Sequence, residues 1–144
     1  GGSEGEHDHG IQETEDLLAV HQWARAHFGE LPLYLAGFSF GAYVTTRVAR
    51  RLAATGQPAT RLVLVGTAAG FVEGARTYET EAVGADTIVI HGAIDDTVRL
   101  ENVLAWAEPL DVPVQVIPGA DHFFHRKLHI IRNELKTGCE CCKK

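Results

Sequence analysis

A serine framed by glycines, Gly37-Phe38-Ser39-Phe40-Gly41, stands where the apolar run Leu33 to Ala36 gives way to a helical pattern. At a tight strand-to-helix turn a serine is held in a strained backbone conformation with its hydroxyl presented outward, and flanking glycines remove side chains that would collide there. Ser39 is therefore a candidate nucleophile. A serine hydroxyl attacks poorly until a positioned imidazole takes its proton, so the same chain must also bring a histidine and an acid to the serine. Asp95 and Asp96 come shortly after an apolar run ending at His91, and Asp121 and His122 come shortly after one ending at Ile117. Serine, acid and histidine thus occur in that order, which is one of the three orders in which such triads are found.

These groups can meet only if the elements before them lie side by side. From about Gln12 to Phe28, Leu17, Val20, Ala24 and Phe28 recur at helical spacing, acidic residues sit at the start and Gly29 stands at the end, so a first helix is expected. Leu31 to Ala36 reads as a buried parallel strand leading into the elbow, followed by a helix with Val44, Val48 and Leu52 on one face that stops near Gly56 and Pro58. Strands are expected again at Arg61 to Thr67, Thr87 to His91 and Val112 to Ile117. Helices are expected at Val98 to Leu110 and from Phe124 through Leu128, Ile131 and Leu135, and partial helix within Ala68 to Asp86. Strands alternating with helices predict a three-layer α/β sandwich around a parallel sheet of about four strands. Such sheets gather functional groups at the carboxyl ends of their strands, where Ser39, Asp95, Asp96 and His122 all fall.

The 144 residues, 45% hydrophobic and 22% charged, suit one globular domain over the whole chain. Residues 1–10 read as loop and 138–144 as a disordered tail. A net charge of −6 argues against a nucleic-acid partner, which needs a basic face. No apolar run reaches the roughly 20 residues of a membrane span and no signal peptide precedes the first helix, so a cytoplasmic protein without a membrane partner is expected. The three cysteines, Cys139, Cys141 and Cys142, crowd into the last residues and leave the body of the chain free of thiols.

The three loops resemble, motif by motif, the α/β-hydrolase superfamily, and within it the small lidless bacterial serine hydrolases described as esterase- or dienelactone-hydrolase-like. Gly37 to Ala42 looks like the family's nucleophile elbow, His91-Gly92-Ala93-Ile94-Asp95-Asp96-Thr97-Val98 like its acid loop, and Gly119-Ala120-Asp121-His122-Phe123-Phe124 like its histidine loop. The resemblance covers about residues 2 to 135. It implies Ser39 as nucleophile, Asp95 in preference to Asp96 as the acid, His122 as the base, and the backbone N–H of Phe40 as one oxyanion-hole donor. It also implies a small ester, thioester or amide as substrate, cleaved through an acyl-enzyme without a cofactor. Phe38, Phe71 and Tyr78 are the candidate substrate-pocket residues, the last two in lid-like material between Ala69 and Ala85.

In the resembled fold several strands precede the elbow, and the loop after one of them supplies the second oxyanion donor. This chain has room for one helix before Leu31, so the amino-terminal third of that fold is expected to be missing and the Leu31 to Ala36 strand to lie at a sheet edge. That edge supports the alternative expectation of a noncatalytic α/β fragment that pairs with a partner or with itself. The remaining histidines and acids have plainer readings. Asp121 is next to His122 in sequence and so poorly placed to face it. His125 and His129 read as exposed helix residues rather than metal ligands, His91 as a support for the acid loop, and His21 and His27 as surface or boundary residues. A soft metal site from the cysteines with His7 and His9 is the weakest reading, and no metal is expected.

Overall fold

The computed structural model describes residues 9–74 and 76–140. Helix α1 (Ile11–Phe28) leads to strand β1 (Tyr34–Phe38), helix α2 (Phe40–Ala54) and strand β2 (Arg61–Val65). A short ribbon of β3 (Gly70–Phe71) and β4 (Thr77–Tyr78) precedes β5 (Ile88–Gly92), α3 (Leu100–Ala107), β6 (Val114–Ile117) and α4 (Leu128–Glu140). The main sheet has the order β1-β2-β5-β6 with every pairing parallel, and β3 and β4 pair antiparallel. The expected architecture is present: an α/β three-layer arrangement around four parallel strands.

Period-two alternation along the strands divides the interior into two cores. Leu35, Leu62, Leu64 and Val89 pack with Val48, Leu52 and Val103 on the side of α2 and α3. Ile88 and Ile90, on the opposite face of β5, join Ile117, Phe124, Ile130 and Ile131 under α4. Val44, Val48 and Leu52 are buried along one stripe of α2, as their spacing predicts. Each such side chain contributes about 1.5–3 kcal/mol when fully buried, and this packing holds the carboxyl ends of the strands in register.

Several expected boundaries move, each for a local reason. β1 begins at Tyr34 rather than Leu31, because Pro32 has no N–H to give a ladder and Leu33 N–H is taken by the Thr60 hydroxyl. β6 begins at Val114 because Pro113 likewise cannot donate and Val112 N–H closes a turn onto the Ala107 carbonyl. α3 begins at Leu100 rather than Val98, whose N–H is committed to Asp95 Oδ1. Ala68 to Asp86 contains ribbon in place of the expected helix. Gly70 and Gly74 adopt φ of 62° and 74°, and the segment is tied outward by Asn102 Nδ2 donating to the Phe71 carbonyl and Trp106 Nε1 donating to that of Glu81.

At the two ends the corrections are larger. α1 turns Thr14 and His21 inward, while Val20 and Phe28 of its expected apolar face are exposed, so His21 is a buried residue and not a surface one. Burial pushes its imidazole pKa down, and the adjacent Arg25 adds to the effect. The closing helix starts at Leu128, not Phe124, since Phe124 has φ of 54° and is buried beneath the histidine loop. α4 continues to Glu140, so residues 138–140 are helical where a tail was expected. Residues 1–8 of the expected loop, with His7, and residues 141–144, with Cys141 and Cys142, lie outside the described residues. No helix among the described residues is long and apolar enough to cross a membrane.

Candidate active site

Ser39 occupies the single residue between β1 and α2 with φ 53° and ψ −120°, a conformation that costs a non-glycine residue of order 1–3 kcal/mol. The surroundings over-determine it. Ser39 N–H donates to the Val65 carbonyl at 2.9 Å, and its own carbonyl accepts from Ala42, Tyr43 and Ala68 N–H at 3.1, 3.3 and 3.2 Å. Val65 at the end of β2 and Ala68 in the loop just after it therefore pin the turn through both its N–H and its carbonyl. Of the two framing glycines only Gly37 is sterically required. A Cβ there would lie 2.5 Å from the Gly41 carbonyl oxygen, whereas one on Gly41 would meet nothing within 4 Å.

The acid comes from the turn after β5. Asp95 Oδ1 accepts the N–H groups of Thr97 and Val98 at 2.9 and 2.8 Å, which fixes the carboxylate plane, and Oδ2 accepts the Nδ1 proton of His122 at 2.7 Å. With Nδ1 donating, His122 Nε2 is an acceptor, and the Ser39 hydroxyl donates to it at 2.9 Å. Asp95 and His122 are buried, at 7% and 3% exposure, while Ser39 keeps partial access to solvent. The acid and histidine loops are fastened together by Ile94 N–H on the Ala120 carbonyl and Ala93 N–H on that of Ile117.

Burial pushes the Asp95 carboxyl up, but the His122 hydrogen bond, the Val98 N–H and the nearby imidazole charge outweigh it and hold the group below its ordinary value. The unfolded chain titrates this carboxyl near about 3.9. Its contribution to stability is thus complete above that value and is lost as pH falls through the lower native one. Asp95→Asn is expected to flatten the acid limb of a stability-versus-pH curve measured by urea unfolding between about pH 5 and pH 2. An unchanged slope would count against the pairing.

A hydroxyl, an imidazole and a carboxylate in one hydrogen-bonded line, with α2 starting at the next residue, form a set able to carry acyl transfer. Comparison with known proteins adds an independent observation: residues 3–112 match the family model of the thioesterase domain. The chain belongs to the thioesterase-domain family. It shares the α/β-hydrolase fold of solved relatives. A lidless α/β serine hydrolase from Xanthomonas campestris superposes with a TM-score of 0.78 at 37% identity, over 97% of this chain and 61% of that one. An α/β serine hydrolase homologue from Coxiella burnetii gives 0.73 at 34% identity, over 94% and 62%. A probable dipeptidyl-aminopeptidase B from Grosmannia clavigera is 27% identical over 169 residues, which is 89% of this chain and 16% of that protein. The chain spans about three fifths of the length of these two solved relatives.

Within this thioesterase domain the other candidates fall apart from the line of three. Asp96 is exposed, and Asp121 turns away to pair with the His125 imidazole. That hydrogen bond, with the His125 N–H, lowers the Asp121 carboxyl pKa. His129 is exposed, and among the described residues no group of three or more His, Cys, Asp or Glu side chains is arranged to hold a metal ion. His27 is exposed and stacks on Trp23. Phe38 leans on the His122 ring, with centroids 5.0 Å apart. Phe71 lines a cavity of about 480 Å³ together with Ile94, Asp95 and Thr97 of the acid loop. Tyr78 is committed to packing instead, its ring against Phe40 and Tyr43 and under the Arg76 guanidinium.

Phe123 and Gly66 escaped the sequence reading. Phe123 is 60% exposed with its ring 5.1 Å from that of His122, while the next residue, Phe124, is buried, so an aromatic pair directly after the histidine was the available signal. Gly66 carries no such signal. Its importance comes from the rings of Phe38 and His122 lying against it, 3.3 and 3.4 Å from where a Cβ would stand.

Proposed function

We propose that this thioesterase-family chain is a serine hydrolase cleaving a small thioester, ester or amide through an acyl-enzyme on Ser39. The observation that carries the reading is the unbroken Ser39–His122–Asp95 hydrogen-bond line. Ser39 Oγ attacks the substrate carbonyl carbon as His122 Nε2 takes its proton, and collapse of the tetrahedral intermediate expels the leaving group with that proton. Water then attacks the acyl-serine with His122 again as base, releasing the acid and restoring the serine. Asp95 holds the imidazole in the required tautomer and stabilises the imidazolium. Phe40 N–H, at the first residue of α2 and so without an intrahelical acceptor, is positioned to serve as an oxyanion donor, aided by the positive end of the helix.

Phe38 and Phe123 flank the imidazole as apolar walls for the acyl or leaving group. A fluorophosphonate probe is expected to form one covalent adduct, located at Ser39 by peptide mass spectrometry and lost in Ser39→Ala. A folded wild-type chain that takes up no probe would overturn the reading. Gly66→Ala, at φ 56° and with two rings in its way, is expected to displace His122 by a few tenths of an ångström and to slow hydrolysis of a p-nitrophenyl ester roughly tenfold. A rate equal to that of wild type would contradict that packing role.

A second reading rests on a different observation. β1 is at the edge of the described sheet and borders an apolar groove lined by Leu17, Val20, Ala24, Phe28, Leu31 and Leu35. In that reading the edge pairs with a second copy of the chain. Size-exclusion chromatography with light scattering separates the cases: a dimer supports edge pairing, and a monomer at all concentrations rejects it.

A further inference from the structure

Behind Asp95 lies a second imidazole that the reaction above does not use. His91, in β5, has no solvent exposure. Its Nε2 is 2.9 Å from the Val98 carbonyl oxygen and 3.4 Å from Asp95 Oδ2, the same oxygen that accepts from His122. Both neighbours are acceptors, so Nε2 must carry the proton. Nδ1 is buried with no hydrogen-bond partner among the described residues, and a second proton there would be costly. We propose that His91 is a positioning residue for hydrolysis, a permanently neutral imidazole whose Nε2–H sets the acid loop and thereby the orientation of Asp95 toward His122. The proposal rests on the hydrolase reading.

The linkage is direct. Val98 receives the His91 proton on its carbonyl and gives its own N–H to Asp95 Oδ1 at 2.8 Å, so the ring clamps the turn that holds the carboxylate. The same N–H dipole lies beside Oδ2 and adds to the donors facing an otherwise dry anion. The titratable groups nearest this centre are Asp95 and His122 themselves. Asp96 next in the turn is exposed, and Asp121 with His125 forms a separate exposed pair. Burial lowers the His91 pKa, with the Val98 hydrogen bond and the Asp95 charge acting the other way and the neighbouring His122 ring adding to the lowering. A histidine that stays uncharged can hold a carboxylate by its dipole without competing with His122 for a proton.

Two measurements on the whole chain test this. In nitrogen-15 histidine spectra of the wild type, His91 is expected as the Nε2–H tautomer with a bare Nδ1 that does not titrate between about pH 5.5 and pH 8. An Nδ1–H tautomer, or titration in that range, would overturn the proposal whether or not the chain turns over substrate. For kinetics, His91→Leu removes the donor, while the side-chain amide of His91→Gln can place an N–H near the original Nε2. Leu is expected to lower kcat by roughly ten- to a hundredfold with KM little changed, and Gln to restore most of it. Equal losses in the two variants, or a loss confined to KM, would reject the positioning role. If neither variant can be purified folded, the wild-type tautomer decides. Failure of wild-type Ser39 to label would instead remove the hydrolase reading and leave the tautomer result to be judged by itself.

Discussion

Ser39→Ala is expected to reduce kcat for ester or thioester hydrolysis by about a millionfold relative to the wild-type chain, with the fold and the binding surface unchanged. The magnitude follows from the proposed reaction, in which the serine supplies the bond-forming atom: without it, His122 would have no proton to move and Asp95 no imidazolium to stabilise, so the three groups would fail as a unit. His122→Ala should fall to a similar level, and the double variant little further, because the effects of cooperating groups are not additive. Stopped-flow or long-time-course assays with a p-nitrophenyl ester and an acyl thioester check this, with the adduct at Ser39 as the parallel readout. Near-wild-type turnover in purified Ser39→Ala would place the chemistry elsewhere. The alanine side chain fits the same turn, although the positive φ of 53° remains as costly for it as for serine. Thermal stability should therefore move little, and that separates chemistry from folding.

The second large effect is on stability and distinguishes two glycines that the motif presents as equals. Gly37→Ala places a Cβ 2.5 Å from both the Gly41 carbonyl oxygen and Thr45 Oγ1, and 2.6 Å from Ala42 Cα. Two of these are backbone atoms of α2 that cannot rotate away, so the helix must shift off the strand at the elbow. A cost of about 3 kcal/mol or more is expected, a large part of the 5–15 kcal/mol that a domain ordinarily has. Gly41→Ala meets nothing within 4 Å and replaces a poor helix former in the first turn of α2, so it should be neutral or slightly stabilising. Urea unfolding of the pair gives the comparison. A Gly37→Ala chain within about 1 kcal/mol of wild type would show that strand and helix are less closely held than these distances require.

Much of this architecture was legible along the chain because local pattern and tertiary role coincide there. The apolar runs Leu62 to Val65 and Ile88 to Ile90 are buried on both faces, and continuous hydrophobicity is what a central parallel strand requires. The stripe of Val44, Val48 and Leu52 survives into the fold because α2 lies on the sheet along its whole length. Failures cluster where the partner of a segment is distant. Nothing near Val20 or Phe28 marks them as exposed, since that depends on how α1 lies beside α2, and Thr14 is buried with its hydroxyl on the Gly10 carbonyl. The stretch after Ala68 reads as ambiguous because its partners, Asn102 and Trp106, come from α3.

For the site the division is sharper. Residue types and their order along the chain mark Ser39, His122 and the Asp95–Asp96 pair as candidates, since a serine between glycines, an acid and a histidine each follow a predicted strand and parallel strands bring their ends to one edge. The loop's resemblance favours Asp95 over Asp96, but what turns one carboxylate toward the imidazole is decided by tertiary structure. Asp95 and Asp96 are chemically identical neighbours, and only the Thr97 and Val98 N–H groups, curled onto Oδ1, turn the first inward and leave the second in solvent. The same holds for His91, whose sequence position suggests a support for the acid loop but not the approach of its Nε2 to Asp95 Oδ2, and for Gly66, whose missing side chain makes room for two rings from other loops. Sequence carries the identity of reactive groups, while their orientation is set by backbone donors and neighbours that no local pattern encodes.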